Sequence, residues 1–164
     1  MKLFKIFKNQ KGFTLIELLV VIGILAVLLA ITLIAINPAR QFAQANNTKR
    51  KSDVNAILNA VNQYMADNKG LVPVGIPVAP AVAGSISNTG ANICAVLVPT
   101  YIAALPTDPQ VNSGVGGVGA AISDCAQAGG YTTGYTIVQN AAPNNRITVA
   151  ASTIQLSDPV SVTR

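Results

Sequence analysis

Between Phe13 and Ile36 the only polar residues are Thr14, Glu17 and Thr32. As a helix, those 24 positions span roughly 36 Å at about 1.5 Å per residue, enough to cross a hydrocarbon core of about 30 Å. An ionisable group inside such a segment is costly and marks a functional position by default. Glu17 sits near the start of this one. Lys2, Lys5, Lys8 and Lys11 precede the run and hold that end on the cytoplasmic side, so everything after Ile36 is placed across the membrane.

The charge balance of the whole chain is governed by that leader. The net charge is +5, but beyond residue 12 seven basic residues face six acids, a net of +1. A nucleic-acid footprint needs a basic face on the folded domain; here the basic residues are mainly a leader, so nucleic acid is not an expected partner. Histidine is absent and Glu17 is the only glutamate. The usual metal ligands and general bases are therefore scarce, and the chain reads as a non-enzyme with no catalytic residues, no metal and no cofactor. Cys94 and Cys125 both lie outside the apolar run. An even count in an exported domain suggests one disulfide, with two buried thiols as the alternative.

Three processing histories fit an N-terminal apolar segment. A secretory signal peptide has a shorter apolar core followed by a small-x-small cleavage site, whereas this run is longer and ends Ala35-Ile36-Asn37-Pro38. A plain single-pass anchor has the right length but no use for Glu17. A cut between Gly12 and Phe13, ahead of the run, creates a hydrophobic residue with a free amine and leaves Glu17 one turn into the helix. The carboxylate then complements the positive end of the helix dipole. It can also pair with the terminal amine of a neighbouring chain, which offsets the cost of leaving it alone in an apolar bundle.

Lys11-Gly12 followed by Phe13-Thr-Leu-Ile-Glu17-Leu-Leu-Val-Val-Ile-Gly-Ile-Leu25 resembles the class III signal of type IV prepilins and type II secretion pseudopilins, over about residues 8–36. The resemblance implies cleavage after Gly12 by a prepilin peptidase, N-methylation of Phe13, and Glu17 as the residue guiding subunit assembly. It also implies further partners: copies of the chain in a helical filament, the membrane assembly machinery, and the bacterial cytoplasmic membrane that holds the precursor. The mature filament is then extracellular. Many members of the family have a proline at the position of Ile34; this chain has Asn37-Pro38 instead. Asn before Pro can cap a fresh helix start, so the break is expected about one turn later.

From Pro38 the composition turns polar, and Val54, Ile57, Leu58, Val61, Tyr64 and Met65 recur at spacings of three and four, the mark of an amphipathic helix. Gly70 is the expected stop. Arg40 and Lys49-Arg50-Lys51 read as a solvated, headgroup-facing or inter-subunit surface. Residues 71–129 read as loop-rich, with a short helix or turn around Cys94. Within this part Leu105-Pro106-Thr107-Asp108-Pro109 is similar to a segment of pseudopilins and related pilins. Asp108 and Asp124 are the only local acids, too few for a calcium site without many other oxygens. Strands are expected over 131–139 and 146–151, and a short third over 153–156.

The expected organisation is a cleaved leader (1–12), a membrane-spanning assembly helix (13–36), an amphipathic helix (37–70) and a loop-rich head with a C-terminal hairpin (71–164). The fold class is α+β, a long helical spine packed on a small antiparallel sheet. The expected function is a structural subunit of a type IV pilus-like filament. Alternatives are a type II secretion pseudopilin, a DNA-uptake pilus component, or a membrane-anchored domain that does not polymerise.

Overall fold

The computed structural model describes residues 12–114 and 116–164; the leader lysines and most of the predicted leader lie outside them. The chain divides into two compact units, one running up to Gln41 and the other Phe42–Arg164.

In the first unit, helix α1 is Leu15–Ile36 and buries no residue. It is long and apolar enough to cross a membrane by length and composition. Its interior hydroxyl is internally satisfied, since Thr32 Oγ1 donates to the Leu29 carbonyl at 2.9 Å, the condition a helix would have to meet inside a bilayer. Asn37 ends α1 in the left-handed conformation, φ 47. It also starts helix α2, Pro38–Asp67, by accepting the Arg40 N–H at its side-chain oxygen (3.4 Å). The break therefore falls where Asn37-Pro38 placed it: proline lacks the N–H and cannot sit inside a continuing helix, but fits a first turn.

The second unit is built on the apolar stripe of α2. Val54, Ile57, Leu58 and Val61 are fully buried, with Tyr64 and Met65 packed at the margin. Tyr64 meets Tyr101 edge-to-face at 5.6 Å. At the C-terminal end Lys69, not Gly70, takes the left-handed cap position (φ 56). Gly70 follows it and returns its N–H to the Met65 carbonyl at 2.7 Å, the closing bond of a Schellman motif.

A four-stranded antiparallel sheet faces this stripe, in the order β1-β2-β3-β4. Strand β2 (Thr132–Gln139) and β3 (Ile147–Ala151) form the expected hairpin. The two outer strands differ from expectation. Gly84–Ser87, inside the stretch read as a connection, is β1 and pairs with β2 across a bulge between Ser85 and Ser87. The third strand is not 153–156 but β4, Ser161–Thr163, paired with β3. Residues 153–156 instead enter a turn in which Gln155 and Asp158 make a lone bridge. Both outer strands are too short for alternation to stand out, and edge strands are commonly short. Ile86, Tyr135, Ile137, Ile147 and Val149 project into the core. The short helix α3, Cys94–Leu97, adds Leu97, and Cys94 is bonded to Cys125 with their Cα atoms 5.6 Å apart.

Candidate assembly site

The N-terminal end of α1 is shaped by a reciprocal cap. Thr14, with extended φ/ψ of −79° and 153°, is the N-cap. Its hydroxyl accepts the Glu17 N–H at 3.3 Å and donates to Glu17 Oε2 at 2.8 Å. The same carboxylate oxygen accepts the Thr14 N–H at 2.8 Å. This is a capping box, which satisfies two of the backbone donors that a helix start leaves without partners. The pattern Thr-x-x-Glu in the sequence signals this geometry; the dipole and inter-chain readings of Glu17 leave out Thr14 as its local partner.

Two consequences follow for chemistry. Gly12 and Phe13 precede the cap and lie outside the helix, so their peptide bond is in non-helical chain. Phe13 is exposed, and a side chain added at Gly12 would meet nothing within 4 Å. Glu17 Oε1 takes no hydrogen bond among the described residues, so the anchored carboxylate still presents one oxygen. The structure thus keeps Gly12, Phe13 and Glu17 within about one helical turn, on a segment whose other side chains, Thr14 and Thr32 apart, are apolar or small and exposed.

In the second basic cluster Arg50 departs from the sequence reading, whereas Arg40, Lys49 and Lys51 are exposed as that reading expects. Arg50 is fully buried rather than solvated. Its Nε donates to Asp108 Oδ2 at 2.7 Å and its Nη2 to Asp108 Oδ1 at 3.0 Å, a bidentate pair with both side chains at 0% exposure. Asn47, Gln110 and Gln155 accept the remaining donors, so the guanidinium is fully coordinated, the condition under which a buried charge is tolerated. Lys49 bridges Asp53 and the Thr107 carbonyl, and Lys51 pairs with Asp158 at 2.9 Å. The cluster therefore ties the head together. Gly134 belongs to this arrangement: a Cβ there would come within 2.9 Å of the Asp108 Cβ and 2.8 Å of Val111, so only glycine lets β2 pass this closely.

Asp108, one of the two candidate calcium ligands, also accepts the Gln110 N–H at 2.8 Å. Asp124 accepts the Ala126 N–H in its own turn. Among the described residues no three His, Cys, Asp or Glu gather into a metal-binding group. Asp53 is instead bound by the buried Tyr135 hydroxyl at 2.8 Å. Burial, and then this bond to a carboxylate, push the Tyr135 phenol far above its ordinary value.

Comparison with known proteins agrees with this geometry. Residues 7–33 match the prokaryotic N-terminal methylation motif. The chain is 34% identical to the type II secretion system core protein G of Escherichia coli, over 63% of this chain and 69% of that protein. It is 37% identical to the type IV wide pilus major component PilA4 of Thermus thermophilus, over 52% of this chain and 70% of that one. No solved structure is a significant match.

Proposed function

The chain belongs to the type IV pilin and type II secretion pseudopilin family, whose members are filament subunits, and from that membership we propose how this one is processed and assembled. A prepilin peptidase removes residues 1–12 by cutting between Gly12 and Phe13, and Phe13 is then N-methylated. Residues 13–36 are released from the bacterial cytoplasmic membrane into a bundle of like helices, while residues 37–164 form the outer part of an extracellular pilus. The chain has no catalytic role; it is a building element.

One observation carries the reading. A bare Gly12-Phe13 bond precedes the Thr14 cap, and Glu17 is fixed one turn in, on a helix with no buried residue. Such a helix needs a partner of its own apolar kind. The single carboxylate needs a cation there, and the new amine of a neighbouring Phe13 supplies one. Thr14 holds the carboxylate in place before the amine arrives, so less freedom is lost on pairing.

A second reading, a short periplasmic pseudopilus, is favoured by Leu105–Pro109 and by the larger share of the chain aligned with the secretion protein. Mass spectrometry of sheared surface fibres tests both. A pilin gives abundant fibres of chains beginning with methylated Phe13. Replacing Gly12 with Leu leaves the leader attached, and Glu17→Ala permits cleavage but stops incorporation. Normal fibres from both variants would defeat the proposed site. Mature protein retained in the envelope, with no surface fibre, would favour the pseudopilus.

A further inference from the structure

We propose that the Cys94–Cys125 disulfide is a redox latch on Arg50. Oxidised, it holds the enclosed segment against α2, where Asp108 pairs with the buried guanidinium. Reduced, that segment opens by itself and Arg50 meets water, while the rest of the head, built on α2, β2 and β3, stays folded. The latch is a property of the head alone; only its closing after export rests on the processing proposed above.

Arg50 is the first observation. Its guanidinium makes five hydrogen bonds, and three of them run to Asp108 and Gln110. The other two go from Nη1 to Asn47 and Gln155. Asn47 Nδ2 also donates to the Gln155 carbonyl at 2.8 Å, steadying a turn in which Leu156 is left-handed, φ 56. That part of the shell lies outside the disulfide loop. Asp108 and Gln110 lie inside it, with Thr107, whose carbonyl accepts Lys49 Nζ at 2.8 Å. Among the described residues, the one carboxylate paired with Arg50 therefore comes from this loop.

The loop is the second observation. Cys94 and Cys125 stand 31 positions apart in the chain, with Cα atoms 5.6 Å from each other. No helix or strand falls between Leu97 and Thr132 among the described residues. The loop is folded mainly on itself. Leu105 and Ile122 exchange backbone hydrogen bonds at 2.8 and 2.9 Å, and Thr107 Oγ1 donates to the Ala120 carbonyl. A long irregular segment has much conformational entropy to regain, and a crosslink at its feet removes most of that gain. It lends Leu105 and Ile122 to the core, but Val54, Ile57, Leu58, Tyr135, Ile137 and Val149 are buried without belonging to it. Segments of this kind open below the free energy of global unfolding.

Charge couples the two observations. A buried guanidinium that loses its carboxylate is costly, so Arg50 turns to water when the loop departs. The bond thus selects between a closed, paired state and an open, solvated one. Closing it takes two electrons and two protons from the Cys94 and Cys125 thiols. A disulfide oxidant accepts both by thiol–disulfide exchange and leaves as a dithiol. Such oxidants act outside the cytoplasm, so Asp108 closes on Arg50 after export.

The test compares three forms of the full chain in detergent: oxidised, reduced with a dithiol, and Cys94→Ser/Cys125→Ser. In the last two, amide hydrogen exchange is expected to quicken about a hundredfold at Leu105, Asp108 and Ile122. At Ile137 and Val149 it should change by less than about twofold. Unchanged exchange in the loop would overturn the latch. Equal loss of protection across β2 and β3 would overturn it too, since the bond would then be a general staple. Asp108→Asn gives a second readout. It is expected to quicken loop exchange about tenfold in the oxidised chain and to add nothing once both cysteines are serine, because the pair is already open. Equal effects in both backgrounds would separate bond from clamp and defeat the proposal. Where oxidised Asp108→Asn does not fold, the exchange pattern of the unsubstituted chain decides. None of these readouts needs a fibre, so the latch and the filament reading fail separately.

Discussion

Helices α1 and α2 invert the usual relation between hydrophobicity and burial. α1 is almost wholly apolar and buries nothing. α2 is polar on average, yet it supplies seven buried residues, Asn47 and Arg50 among them. The difference lies in where each helix finds its partner. The stripe of α2 is satisfied within the chain by Ile86, Tyr135, Ile137 and Val149, whereas the described residues leave every α1 side chain unburied, and the function proposed above would cover them with lipid or with other copies. One helix stabilises the head; on the proposed function, the other would stabilise what the subunit joins.

The strongest way to break that contrast is at Arg50. Arg50→Ala leaves Asp108 buried and uncompensated, with an expected loss of about 3–5 kcal/mol in head stability by urea or thermal unfolding. Arg50→Met with Asp108→Leu should recover much of it, since an apolar pair of similar volume removes both desolvation costs. A double variant as unstable as Arg50→Ala would show that the neighbouring amides, not the ion pair, hold the site.

One substitution in two places sharpens the comparison directly. Leu58→Ala in α2 should cost the head about 2–5 kcal/mol. Leu25→Ala in α1 should change head unfolding by less than about 0.5 kcal/mol, with its effect confined to fibre yield. Equal effects on unfolding would mean that α1 shares the core.

The pH dependence is a smaller effect. The Tyr135 phenol is raised by burial and by Asp53, and Tyr131 is raised by burial. A raised folded value means the unfolded chain loses these protons first, near pH 10. Their contribution is therefore fully present below that pH and falls as pH rises beyond it. Tyr135→Phe should flatten the alkaline decline measured by unfolding, and Tyr131 should leave a residual slope. An unchanged slope would place the sensitive group elsewhere.

Smallest is the cap. Thr14→Ala should cost α1 about 1 kcal/mol and leave head unfolding untouched, while slowing fibre assembly because Glu17 loses its restraint. Assembly kinetics compared with Glu17→Ala separate a supporting role for Thr14 from the pairing role proposed for Glu17. An altered head melt would show that the cap also supports the head.

What the sequence determined by itself was the set of features with a local cause. The apolar run, the Asn37-Pro38 break, the stripe from Val54 to Met65 and the β2–β3 hairpin each follow from periodicity or backbone chemistry within a few residues. The family motif at Gly12, Phe13 and Glu17 is equally local, and the Thr14 cap was legible by the same rule. What only the tertiary structure decided was pairing over long separations. Arg50 and Asp108 are 58 positions apart, and no local pattern distinguishes a buried arginine from the exposed lysines on either side of it. Strands β1 and β4 are short edge strands whose register comes from their neighbours, and the left-handed turn at Leu156 exists because α2 holds it. Local propensity depends on adjacent residues, whereas the net gain of a buried ion pair or an edge strand depends on surroundings that the folded chain alone creates.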